Sequence, residues 1–170
     1  MQFRDSLRKL TATAVLTAVA LIVFVVEAQI PPIVPLPGIK LGLANAITLI
    51  AMELLGKRYA AGLVLLRIVL SAVLTGTLMS FLYSLCGGVL SLAVMCMVHK
   101  PLGSSKLWAI SVLGAIAHNA GQLLVAMRLL GFGAVIGYLP TLTISAIICG
   151  AGVGLCAQAV SARLKNMKII

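Results

Sequence analysis

Between Arg67 and Lys100 the chain carries no charged side chain, and between Arg128 and Arg163 it again carries none. Apolar stretches of this length admit few solutions. A buried soluble helix needs a stripe of apolar residues, whereas these runs are apolar all round. A bilayer core about 30 Å thick is crossed by roughly 20 apolar residues in a helix. Lipid offers no hydrogen bonds to an open backbone, so spanning segments of this kind are helical. Six such spans are read along the chain, at roughly 10–27, 41–55, 59–76, 78–98, 107–127 and 133–160. The expectation is an all-α membrane protein, a six-transmembrane-helix bundle forming one integral membrane domain over residues 1–170. Composition agrees: 62% of the 170 residues are hydrophobic and 9% are charged, against roughly a quarter charged in soluble domains.

The basic residues orient the bundle. Arg4, Arg8 and Lys9 precede the first span, and Lys57 and Arg58 follow the second. Lys100 and Lys106 separate the fourth and fifth, and Arg163, Lys165 and Lys168 follow the sixth. These ten of the thirteen Lys and Arg fall on one side; Lys40 and Arg128 fall on the other, and Arg67 sits inside the third span. The positive-inside rule then places both termini in the cytoplasm. The net charge of +10 marks that side and does not point to nucleic acid, because no basic cluster is interleaved with aromatics. Val26-Glu27-Ala28 resembles a signal-peptidase site, but the apolar run before it is long for a signal peptide, and its loss would break the six-helix parity. It is therefore read as a retained first span. Cys86, Cys96, Cys149 and Cys156 all lie within spans and form no CxxC or Cys/His pattern. They read as packing residues, and no metal site is expected.

Polar residues in the apolar spans carry the functional signal. In AIAHNAGQLL, His118 and Gln122 are four apart and Asn119 is three from Gln122, so all three share one arc of helix. Such groups are costly in lipid unless they face protein or water. They are read as lining an outward-opening polar pocket, with interhelical hydrogen bonding as the alternative for any single one. Glu27, Gln29, Lys40, Asn45, Tyr83, Ser84, Arg128, Tyr138, Thr141 and Thr143 fall in the same outer half. The substrate-binding candidates are Lys40, Asn45, Tyr83, His118, Asn119, Gln122 and Tyr138. In the inner half Glu53 is expected to pair with Lys57, and Arg67 to reach either the pocket floor or Glu53. The stretch IPPIVPLPGIK, with four prolines from Pro31 to Pro37 followed by Gly38 and Lys40, is stiff with a soft hinge, which suits either a lid over the pocket or a plain connection.

Small residues mark close helix contacts. Ala14 and Ala18 are four apart in the first span, and Ala146, Gly150 and Gly154 repeat that spacing in the sixth. The sixth span is expected to pack tightly inside the bundle.

GIKLGLANAITL, RIVLSAVLTGTLMSFLYSLCGG and GAIAHNAGQLLVAMRLLGFGAVIGYLP together resemble one membrane family. It is labelled "heptaprenyl diphosphate synthase component I" and also called the Gx transporter family. The likeness covers about residues 10–160. The family is in turn similar to the S components of energy-coupling factor (ECF) vitamin transporters, six-helix proteins of the bacterial plasma membrane. The resemblance implies a substrate-binding component that captures a small molecule at the outer face under a capping first loop, here residues 30–45. It implies as partners a coupling transmembrane subunit, docked on Ala14 and Ala18, and two ATPases. The vitamin-specific motifs of well-known members are missing, so no ligand is named. Lys40, Arg67 and Arg128 against Glu27 favour an anionic or zwitterionic compound.

The enzyme in the family label finds no support in the residues. Prenyl diphosphate synthases hold Mg²⁺-diphosphate on clustered carboxylates. Here the acids are Asp5, Glu27 and Glu53, far apart in depth. No catalytic residue and no cofactor is assigned, and no phosphate-binding Gly-rich loop with Lys-Ser/Thr occurs. A membrane accessory subunit of a soluble prenyl diphosphate synthase is the alternative reading. A stand-alone channel lacks a charge ring or filter motif.

Overall fold

The computed structural model describes residues 2–29 and 43–167. The proline-rich stretch and Lys40 lie outside the described residues. Among those described the chain is helical throughout, with no strand: α1 (Gln2–Gln29), α2 (Asn45–Leu54), α3 (Lys57–Thr75), α4 (Leu78–Leu102), α5 (Leu107–Leu130), α6 (Phe132–Val135) and α7 (Leu139–Asn166). Five segments, containing α1, α3, α4, α5 and α7, are long and apolar enough to cross a membrane.

Two spans differ from expectation. α2 has ten residues, about 15 Å of helix, half of a bilayer core. The expected sixth span is broken: α6 and a 3₁₀ turn over Ile136–Tyr138 come before α7, which starts at Leu139 with Pro140 in its first turn. Proline is suited to a first helical turn, where its missing N–H costs nothing. The third and fourth spans, nearly fused in sequence, are separated by Gly76. At φ 64° Gly76 closes α3, its N–H bonding Ala72 O, and Thr77 Oγ1 then accepts from Ser80 N to open α4.

α5 is the most enclosed of the long helices, lying between α4 and α7. Small residues allow this. A Cβ on Gly154 would lie 2.5 Å from Trp108 Cα, and one on Gly150 2.9 Å from Val112 Cα. On the other side, a Cβ on Gly121 would lie 2.6 Å from Cys86 O. The tight packing expected of the sixth span is therefore present, with Ala146 buried as well. α2 fits against α3 and α7, and α1 packs on α3 and α2.

One end of the bundle is basic. It holds the start of α1, the α2–α3 and α4–α5 turns and the end of α7, with Arg4, Arg8, Lys9, Arg58, Lys100, Lys106 and Arg163 exposed. There Glu53, 3% exposed, accepts from Lys165 Nζ and lies 2.7 Å from His99 Nε2. The expected Glu53–Lys57 pair does not form. The chain breaks at Gly56 (φ 97°), so Lys57 opens a new helix instead of following Glu53 by one turn, and its Nζ donates to Cys96 O at 2.7 Å. The cysteines are all free; Cys96 and Cys149 are half-buried, whereas Cys86 and Cys156 are exposed on the outside of the bundle.

Candidate functional site

Three helices run from the basic end to a common depth. Asn45 is eight residues from Glu53, about 12 Å of rise; Arg67 is ten from Lys57, about 15 Å; His118 is eleven from Leu107, about 16 Å. All three are buried, together with Glu27, Thr48, Asn119 and Gln122. The bundle therefore has a polar centre near mid-depth.

Glu27, at the end of α1, accepts from the backbone N–H of Leu43 at 3.1 Å. That residue precedes α2, whose start carries no side-chain cap of its own. A carboxylate from a neighbouring helix thus meets the positive end of the α2 dipole. Arg67 of α3 lies within electrostatic reach of both Glu27 and His118. It passes close to α4, where a Cβ on Gly88 would lie 3.3 Å from Arg67 Nη2. The neighbouring Gly87 makes room for the His118 ring: a Cβ there would lie 2.9 Å from His118 Cε1.

The arc on α5 is as expected, but its members face different neighbours. His118 faces α4. Asn119 faces α7 and donates from Nδ2 to Leu142 O at 2.9 Å, so one end of this amide bridges helices instead of pointing into a cavity. Gln122 falls between these two directions. Ser111, eleven residues before Gln122, has nearly the same heading, since eleven helical residues return to within about 20°. Ser111 lines a small crevice with Leu43, Asn45, Ala115, Cys149, Gly150 and Val153. The crevice at the start of α2 therefore opens on the same side of α5 as Gln122, about 16 Å along the helix from it.

Several buried atoms in this centre have no hydrogen-bond partner in the protein. They are Asn45 Nδ2, Thr48 Oγ1, Arg67 Nε and Nη2, Asn119 Oδ1 and Gln122 Oε1. A buried polar group left unpaired costs about 1–3 kcal/mol. Tyr83 and Tyr138 stand apart from this centre. Tyr83 is buried with Leu123, Ala126, Val135 and Leu142, and Tyr138 packs against that apolar group. The sequence places Glu27 near the pocket, but does not assign its meeting with α2 or the contributions of Thr48 and the Gly87–Gly88 pair. An arginine inside an apolar span is the signal that marks the centre, because such a residue needs protein or water around it.

The family model for heptaprenyl diphosphate synthase component I matches residues 16–160. The chain belongs to that family. No curated protein and no solved structure matches it. The label names a component and not the catalytic subunit. In this family member, Glu27 and Glu53 are committed to opposite places, one at the start of α2 and one at the basic end, and Asp5 is in the first turn of α1. The described residues hold no group of three or more His, Cys, Asp or Glu placed to bind a metal ion.

Ala14 and Ala18 are exposed on α1, on the side away from the buried Thr13, Thr17 and Ala20. The α1 surface around them is apolar, with Leu10, Val15, Val19 and Ile22 also exposed.

Proposed function

We propose that this chain is a non-catalytic membrane component that accompanies a soluble prenyl diphosphate synthase. The observation that carries this reading is the family match over residues 16–160. The dispersed carboxylates support the non-catalytic role, because diphosphate chemistry needs acids that share Mg²⁺. In this reading the basic end is cytoplasmic, both termini lie there, and the exposed Arg and Lys side chains face the synthase. α2 counts as a sixth, half-length span, and the chain resides in the bacterial plasma membrane.

A second reading is favoured by the polar centre, which a mere anchor does not need. The chain would then be the S component of an ECF-type uptake system, capturing a small molecule from the outer face. A coupling subunit would dock on the exposed Ala14–Ala18 stripe, and two ATPases would drive release. Purification of the tagged chain in mild detergent separates the readings. Recovery of a soluble prenyl diphosphate synthase supports the first, and recovery of a coupling subunit with ATPases overturns it in favour of the second. Orientation is tested in a cysteine-free background: an impermeant thiol reagent applied outside is expected to label Gly133→Cys and not Lys106→Cys.

A further inference from the structure

The unpartnered atoms of the polar centre are not of one kind, and their arrangement describes a guest. On α2 and α3 they are Asn45 Nδ2, the Nε and Nη2 donors of Arg67, and the Thr48 hydroxyl, which can donate or accept. On α5 they include acceptors: Asn119 Oδ1 and Gln122 Oε1. The Asn119 assignment is firm chemically. Leu142 O can only accept, so the amide nitrogen must face it, which leaves Oδ1 as the open atom.

We infer that this polar centre binds a neutral or zwitterionic small molecule that offers acceptor oxygens to Arg67 and an N–H or O–H donor to Asn119, with the Asn45 and Gln122 amides meeting groups of either kind. A guanidinium edge with two open nitrogens suits a carboxylate or carbonyl group. The Asn119 oxygen suits an ammonium, amide or hydroxyl group on the same molecule. A diphosphate does not suit the site. It offers acceptors only, leaving Asn119 Oδ1 without a donor, and it would bring several negative charges against one arginine. The centre is thus not a store for the charged product named in the family label. The inference rests on the ligand-capture reading only in requiring a guest, and it is independent of which protein partner the chain has.

The test uses the full chain purified alone in detergent, with its bound small molecules extracted and identified by mass spectrometry. The expected result is one compound near stoichiometric occupancy, carrying donors and acceptors and no net multiple charge. Its amount should fall at least tenfold in Gln122→Leu and in Arg67→Gln. Should Arg67→Gln fail to fold, Gln122→Leu decides alone, with helicity and elution volume as its controls. Mass also distinguishes a free metabolite from a zwitterionic lipid headgroup, both of which have the required chemistry. In parallel, millimolar inorganic diphosphate is expected to leave the melting temperature unchanged. A polyanionic guest, no guest, equal occupancy in the folded variants, or an Arg67-dependent stabilisation by diphosphate would each overturn the inference. A copurification experiment that finds no ATPase leaves this result untouched, so the two failures are distinguishable.

Discussion

Two buried carboxylates anchor two polar clusters, and they are finished to different degrees. At the basic end Glu53 ties three helices together, receiving Lys165 from α7 and His99 from α4 onto its two oxygens. At mid-depth Glu27 meets the start of α2, and the groups beyond it leave donors and acceptors open on α2, α3 and α5. A self-satisfied cluster is what a structural clasp requires. A cluster with open atoms of both kinds costs stability as it stands, and that cost is recovered when a guest supplies the missing partners.

The largest effect should come from undoing the clasp. In the double variant His99→Ala, Lys165→Ala the Glu53 carboxylate loses both basic partners and keeps only its hydrogen bond from Ser104. Removing the partners of a buried charge costs about 3 kcal/mol, so a clear fall in the midpoint of thermal or denaturant unfolding is expected. An unchanged midpoint would mean that water reaches Glu53 and that the two clusters do not differ in kind. Next is Gly87→Ala. Its methyl would press on the His118 ring and on His118 O, 3.0 Å away, and overpacking of this kind costs about 1–3 kcal/mol. Both stability and guest occupancy should fall, since α4 and α5 must part at the polar centre.

A smaller loss is expected from Asn119→Leu, about 1 kcal/mol, because the hydrogen bond from Asn119 Nδ2 that ties α5 to Leu142 O is lost. The smallest effect, and the sharpest contrast, is Gln122→Leu. It removes an acceptor that has no partner in the protein, so stability of the guest-free chain should hold or rise by up to about 1 kcal/mol. Calorimetry on the two variants side by side separates a helix-bridging amide from a guest-facing one. Equal losses would make Gln122 a bridge as well.

The comparison also shows where sequence reading stops. The arc of His118, Asn119 and Gln122 was legible because helical spacing alone puts those residues on one side of α5. Their targets were not legible. That Asn119 meets Leu142 O while His118 meets Gly87 depends on which helices flank α5. Glu53 illustrates the same limit. One turn of helix would have joined it to Lys57, but Gly56 breaks the helix, and its partners come from residues distant in the chain.

What the sequence determined by itself is the helical, apolar character of the chain. Charge-free runs of this length must be helices in lipid, since no other local structure satisfies its own backbone hydrogen bonds there. It also determined the basic end, because the positions of Lys and Arg along the chain do not depend on packing. Only the tertiary structure decided that α2 stops halfway, that Glu27 meets its start, and that Arg67 comes within reach of His118. The last of these follows from close approach between helices distant in sequence, permitted at Gly87 and Gly88. Such approach is a property of paired surfaces, and neither surface shows it alone.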